Sequence, residues 1–159
     1  MTDSPKSLQE TFAPGGRCFG CGPANAAGLR IRSFALADTV DTHVVCDFVP
    51  ELHHEAFENV LNGGIIGTVL DCHMNWTTIH HLMKKQGLDH APPCVTAEFK
   101  VVLKRPTPIG PVHVDAHVVS GTDERATIEA TMTAAGKVTA IGTGLFIAVK
   151  PGHPAYHRW

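Results

Sequence analysis

The sequence lacks the features that mark membrane, nucleic-acid-binding and secreted proteins. No apolar run approaches the ~20 residues that a membrane-spanning helix needs. The 13 lysines and arginines form no basic block and are balanced by 15 acidic residues, for a net charge of -2, so no nucleic-acid partner is indicated. The polar start of the chain has no apolar segment of the kind found in secretory signals. We therefore expect no membrane and no nucleic-acid partner.

The five cysteines form no complete metal-binding or disulfide pattern. An odd number of cysteines in a chain without a secretory signal favours reduced thiols and a cytoplasmic location. Only Cys18 and Cys21 lie close together, and neither a second such pair nor histidines at helical zinc spacing accompany them. The pair also lacks the βαβ context of a redox motif. We predict that Cys18 and Cys21 bind no stoichiometric metal, and that the protein uses neither a metal nor a cofactor.

The composition is that of an ordinary globular protein, with 43% hydrophobic and 18% charged residues. A chain of 159 residues is long enough to bury one substantial core and fits one domain. We therefore predict a single domain over residues 1–159, with irregular segments at 1–17 and 151–159.

Much of the chain outside one central segment has the alternating pattern of β-strands. Apolar residues recur at every second position, which is typical of antiparallel strands with one buried face. An example is the segment 95–103, in which Val95, Ala97, Phe99, Val101 and Leu103 are expected to share the buried face. The predicted strands are 29–36, 40–48, 95–103, 112–118, 126–134 and 138–149, with a turn at 37–39 between the first two.

The segment between the two groups of strands predicts one long α-helix over residues 63–83. Apolar side chains recur there at steps of four and three, and further apolar residues widen this surface beyond one stripe. Such a helix must be covered by more than one surface. The predicted fold class is therefore α+β, with one antiparallel sheet wrapped around a long central helix and the element order β-β-α-β-β-β-β.

The predicted helix begins with Asn62, Gly63 and Gly64, which suit both a cap and a binding site. Asparagine is a preferred N-cap, and paired glycines let the backbone approach a ligand closely. The first N–H groups of a helix have no internal partners and lie at the positive end of its dipole. They can therefore stabilise a developing oxyanion, although a simple cap and turn would use the same residues.

Asp71 is a lone carboxylate in the middle of this apolar helix. Burying a carboxylate is costly, so Asp71 is either bonded to a neighbouring strand or functional. The eight residues from Gly63 to Asp71 rise ~12 Å along the helix axis, which is farther than one Asp side chain can span. If both groups serve one site, two antiparallel helices around a twofold axis must supply them. This arrangement predicts a dimer with two identical sites.

The order of these features resembles the hotdog thioesterase superfamily, in its phenylacetate-degradation (PaaI-like) branch. In that branch a His-Gly-Gly turn opens the central helix and an acidic residue follows nine positions after the histidine, as Asp71 follows Asn62. Asn62 stands where most of the branch has histidine. Further motifs of the likeness are Cys18-Phe19-Gly20-Cys21-Gly22 with Asn25 and Gly28-Leu29, Arg105-Pro106-Thr107-Pro108-Ile109-Gly110, and the strand end from Gly142 to Phe146.

The resemblance implies a hotdog acyl-CoA thioesterase that works as a homodimer or as a tetramer built from dimers. It implies that Asp71 of one subunit acts as general base or nucleophile, and that Gly63 and Gly64, next to Asn62, hold the thioester oxygen. In relatives, the position of Thr96 often carries a hydroxyl near the attacking water, although an exposed strand threonine is an equally good interpretation.

Three further residues are candidates for substrate binding. His54 stands where one subgroup of the family often has histidine before the glycine turn, and Lys104 and Arg105 are either contacts for CoA phosphates or plain surface charge. Two alternative functions stay open. His53, His54 and Glu55 near the helix entry leave room for an enoyl-CoA hydratase or dehydratase. The asparagine at position 62 leaves room for a protein that binds acyl-CoA without hydrolysing it.

Overall fold

The structure, a computed structural model, describes residues 4–37 and 41–157. Within these ranges the elements are α1 (Leu8–Phe12), β1 (Phe34–Ala35), β2 (His43–Phe48), a 3₁₀ helix (Leu52–His54), β3 (Glu55–Phe57), β4 (Val60–Leu61), α2 (Gly63–Gln86), β5 (Cys94–Leu103), β6 (Val112–Gly121), β7 (Arg125–Ala134) and β8 (Lys137–Ala148). None of the described helices combines the length and apolar character that crossing a lipid bilayer requires.

Six strands form one antiparallel sheet in the order β1-β2-β6-β7-β8-β5. Strands β5 to β8 are long and paired along most of their length, and helix α2 packs against all four of them. The hairpin of β3 and β4 is separate from this sheet and leads directly into α2. The predicted α+β architecture, one antiparallel sheet around one long helix, is therefore confirmed.

Helix α2 begins and ends at strong sequence signals. Asn62 caps its first turn, as predicted. Gly87, with a left-handed φ of 66°, ends the helix just after Gln86, three residues past the predicted end. Residues 72–79 are all buried, so this part of α2 is covered on every side. The prediction that more than one surface covers the helix is thus confirmed.

The N-terminal segment, residues 7–33, packs on α2 in addition to the sheet, a role that the sequence pattern does not predict. Buried hydrogen bonds fasten it: Gln9 Nε2 donates to Ser33 Oγ (2.9 Å), and Ser33 Oγ lies 2.8 Å from His73 Nδ1. The other ring nitrogen of His73 lies 3.0 Å from the carbonyl oxygen of Val44. Burial lowers the pKa of His73 to about 4, so the imidazole is neutral and links the segment, the helix and β2.

The predicted strand over 29–36 is wrong for most of its length, since only Phe34 and Ala35 form β1. Leu29 and Ile31 instead donate their backbone N–H groups to the carbonyls of Phe19 and Gly20, at 2.8 and 2.9 Å. These bonds close a loop. The apolar side chains of this stretch therefore belong to the segment that covers α2 and not to a sheet.

Other boundaries in the first part of the chain also shift. The predicted strand over 40–48 is observed as β2, while Val40 and the turn residues 38 and 39 lie outside the described residues. The segment 1–17, predicted to be irregular, contains α1. There the Ser7 side chain accepts from the N–H of Glu10, whose carboxylate accepts in return from the N–H of Ser7.

Strand β5 forms one edge of the sheet, and this changes the expected burial of its apolar residues. The predicted buried face included Phe99 and Leu103, but their side chains are 43% and 55% exposed. The edge position and a register irregularity between Thr96 and Glu98 leave this part of β5 uncovered within one chain. A ten-residue edge strand with exposed apolar side chains is a surface that proteins usually cover or pair.

Candidate active site

The start of α2 presents one backbone donor toward solvent. The Asn62 side-chain oxygen accepts from the N–H groups of Gly64 and Ile65, at 2.7 and 3.3 Å. The end of the 3₁₀ helix holds this turn, because Asn62 N–H donates to the carbonyl of His54 at 2.9 Å. Gly63 is exposed, and among the described residues its N–H has no hydrogen-bond acceptor outside the helix. Of the two glycine amides predicted for an oxyanion, Gly63 therefore has the donor that the cap does not use.

Asp71 is half-buried on α2 and contacts the first residues of β5. Thr96 Oγ1 donates a hydrogen bond of 2.7 Å to Asp71 Oδ1. The irregular register after Thr96 directs its side chain toward the helix, as bulges often do near functional sites. The structure thus brings together two residues that the sequence singled out separately, Asp71 and Thr96.

A cavity of about 410 Å³ opens beside this pair. Its lining residues are Arg17, Cys18, Cys21, Asp71, Cys72, Asn75, Trp76 and Thr96. Asn75, one helical turn after Asp71, is buried and donates to the carbonyl of Cys94 at 3.3 Å. Its side-chain oxygen has no donor among the described residues. A buried acceptor without a donor favours a bound water or ligand at this place, and no sequence pattern indicates this role for Asn75.

A groove of about 530 Å³ joins the helix start to Asp71. Glycines and small residues of α2 form its floor, and its walls come from the N-terminal segment and β5. Its lining residues are Cys18, Phe19, Gly20, Gly63, Gly64, Gly67, Thr68, Asp71, Cys72, Phe99 and Val101. The start of α2 and Asp71 therefore line the same groove, yet the eight residues from Gly63 to Asp71 still separate them by ~12 Å along the helix axis.

The three predicted substrate-binding residues lie outside the lining of the groove and the cavity. His54 is half-buried, its ring accepts from the N–H of Glu51 at 3.0 Å, and it lines a separate cavity. Lys104 and Arg105 are exposed just after β5. The preceding residue, Leu103, lies near the helix start, because a Cβ on Gly63 would be 3.6 Å from its Cδ1.

Cys72 joins the pair Cys18 and Cys21 in a cluster of three thiols. The Cys18 and Cys72 sulfurs lie 3.7 Å apart, and Trp76 Nε1 donates to the Cys21 sulfur at 3.4 Å. Hydrogen bonds from the Cys21 and Cys72 thiols hold the pKa of Cys18 well below that of an ordinary thiol. Its hydrogen bond with Cys18 raises the pKa of Cys21 to about 11.

Solved structures show which fold this arrangement belongs to. The chain has the hotdog fold of thioesterase superfamily proteins, as the sequence resemblance implied. It is similar to a phenylacetic acid degradation-related protein of Ralstonia eutropha, with a TM-score of 0.66 and 18% identity over 87% of this chain and 99% of that one.

Two further structures have the same fold. A thioesterase superfamily protein of Shewanella loihica has a TM-score of 0.60 and 19% identity over 80% of this chain and 98% of that one. A Streptococcus mutans protein bound to acetyl-CoA has a TM-score of 0.60 and 14% identity over 74% of this chain and 89% of that one. No protein-family profile and no curated protein sequence matches the chain.

Proposed function

We propose that the protein hydrolyses acyl-CoA thioesters to a carboxylic acid and free CoA. The observation that carries this proposal is the groove that runs from the capped start of α2 to Asp71, whose carboxylate accepts a hydrogen bond from the Thr96 hydroxyl. The thioesterase superfamily protein and the acetyl-CoA-bound protein among the solved structures support the substrate class.

The chemistry needs one base and one oxyanion donor. The thioester oxygen accepts from the N–H of Gly63, at the positive end of the α2 dipole. Asp71 takes a proton from water as the water oxygen attacks the carbonyl carbon, with the other water proton directed to the side-chain oxygen of Asn75. The carbon–sulfur bond then breaks, and CoA leaves as a thiolate, whose conjugate thiol has a pKa near ~8.5 and so needs no strong acid.

The active form is a homodimer, which can pair further into a tetramer. The carbonyl carbon of the thioester must lie within ~3–3.5 Å of the nucleophile while the carbonyl oxygen accepts from the N–H of Gly63. Gly63 and Asp71 of one helix lie ~12 Å apart along its axis, so they cannot both act on the same thioester. A second copy that pairs along the exposed edge strand β5 covers Phe99 and Leu103 and brings its own α2 alongside the first. Gly63 of one subunit then faces Asp71 of its mate.

The CoA end of the substrate lies toward the exposed cations after β5. Lys104 and Arg105 follow Leu103, whose side chain reaches the helix start, so their charges lie near the end of the groove where the thioester oxygen binds. Both can pair with the phosphates of CoA.

A panel of acyl-CoAs, assayed with a thiol-detecting reagent, tests the proposed activity. Release of free CoA from at least one acyl-CoA at an enzymatic rate is expected. A change in enoyl absorbance without thiol release would instead identify a hydratase. Tight binding of acyl-CoA with neither signal would identify a binding protein, and either result would overturn the proposal.

Replacing Thr96 with valine should lower kcat about tenfold or more, because a hydrogen bond to a charged group contributes about 1.5–3 kcal/mol. KM should change little, since Thr96 orients Asp71 and does not hold the substrate. Thr96→Ser keeps the hydroxyl and should restore most of the activity. Steady-state kinetics of both variants check this, and equal kcat values for valine and serine would exclude a role for the hydroxyl.

A further inference from the structure

We propose that Cys18, Cys21 and Cys72 bind one thiophilic divalent cation of the zinc class and thereby fasten the N-terminal segment to α2 beside Asp71. The expectation that Cys18 and Cys21 bind no metal depended on the absence of further ligands in the sequence. The fold supplies a third thiol from α2. The proposal is independent of thioester hydrolysis, since a cation can bind here whether or not the protein is an enzyme.

The spacing of the three sulfurs suits one tetrahedral cation. All three ligand atoms lie within 4.8 Å of one another. Zinc binds thiolate sulfur at about 2.3 Å, so two sulfurs on one tetrahedral zinc lie about 3.8 Å apart. The Cys18 and Cys72 sulfurs are separated by 3.7 Å. A disulfide would need these two sulfurs to approach to about 2.05 Å, which the observed separation does not provide.

The loop that carries Cys18 and Cys21 is shaped to present both sulfurs. The N–H of Gly22 donates to the Cys18 carbonyl at 2.8 Å, which closes the turn between the two cysteines. A Cβ on Gly20 would come within 2.3 Å of the Cys72 sulfur, so glycine is needed for this loop to lie against the helix. A side chain at Gly22 would come within 2.5 Å of the backbone at Cys18.

The surroundings complement a negatively charged metal–thiolate group. Three thiolates and one divalent cation leave one negative charge. Arg17 lines the same cavity, and Trp76 Nε1 donates to the Cys21 sulfur. Such donors tune and orient metal ligands. When the cation binds, those of the three cysteines that are still protonated release their thiol protons to solvent.

Three protein ligands leave a fourth position, and all three cysteines line the cavity that also contains Asp71 and Thr96. The fourth position therefore lies on the cavity side, where water completes the tetrahedron. Cys18, Phe19 and Gly20 also form one wall of the groove. The cation thus fixes that wall against α2.

The test uses the full-length chain without a histidine tag, purified under reducing conditions from zinc-supplemented cells. Elemental analysis should find about one zinc ion per chain. After exchange for Co²⁺, a sulfur-to-cobalt charge-transfer band and tetrahedral d–d bands should appear. Cys18→Ser, Cys21→Ser and Cys72→Ser should each lose the metal, while Cys46→Ser, at a buried cysteine outside the cluster, should keep it.

Two controls keep the outcome unambiguous. A second group of possible ligands, His43, Asp115 and His117, lies on β2 and β6, so His117→Ala should leave the zinc content unchanged. Cobalt bound there would give no sulfur charge-transfer band. Chelation of the zinc should lower the Tm of the wild type by about 5 °C or more, and should leave the Tm of Cys18→Ser unchanged.

Three results would overturn the proposal. One is reduced protein from zinc-supplemented cells that holds no metal and gives no charge-transfer band with Co²⁺. Another is full metal retention in a folded Cys72→Ser variant. The third is a disulfide among these cysteines in freshly extracted protein that holds no metal, detected as the loss of two hydrogen atoms by mass spectrometry. That result would identify a redox pair in place of a metal site.

Discussion

Replacement of Asp71 by asparagine should lower kcat for acyl-CoA hydrolysis by ~10²–10⁴-fold, the typical cost of losing a catalytic base. Among the residues that line the cavity and the groove, Asp71 is the one acid in the described part of the chain. Asparagine has nearly the same volume and can still accept the hydrogen bond from Thr96, but it cannot take a proton from water. KM should change little, because the substrate contacts at the helix start remain.

The measurement is steady-state thiol release by the variant, with circular dichroism and a thermal melt to confirm that it is folded. Asp123→Asn is the matched control, because this carboxylate is exposed and paired with Lys85 on the surface, and it should retain wild-type kcat. A folded Asp71→Asn variant with near-normal kcat would show that Asp71 is not the base.

The regular elements around the site could be predicted because their signals are local. The cap at Asn62, the apolar steps of α2 and the alternation in β6 to β8 depend on neighbours a few positions away, and the structure confirms them. Asp71 also stood out locally, as a charge in an apolar helix.

The parts that could not be predicted depend on contacts between distant segments. The Cys18 and Cys72 sulfurs meet across 54 positions of sequence, and in the helical pattern Cys72 was simply one of the apolar residues. The N-terminal segment covers α2 through irregular backbone, which has no period to detect. Phe99 matched a buried face by alternation, but its strand lies at an edge, and edge positions are set by sheet order rather than by local pattern.

The second large effect concerns Gly63, whose N–H is the proposed oxyanion donor. Gly63→Pro removes this N–H and should lower kcat by ~10²–10³-fold, as loss of one oxyanion-hole donor typically does. The helix should survive, because proline is favoured at the first helical position and Asn62 already has the extended φ and ψ of -62° and 134° that a residue before proline needs. Gly63→Ala keeps the N–H, meets nothing closer than 3.6 Å, and should stay active.

Mixed dimers of the two inactive variants test most directly whether one site is built from two chains. Asp71→Ala and Gly63→Pro chains, carrying different affinity tags, are mixed, allowed to exchange subunits and purified through both tags. In each heterodimer one site carries both lesions and the other carries neither. Thiol release should therefore return to about half the wild-type rate per heterodimer, far above either parent. Verified heterodimers that stay as inactive as their folded parents would contradict the shared site, and Asp71 and Gly63 would then have to act within one chain or not at all.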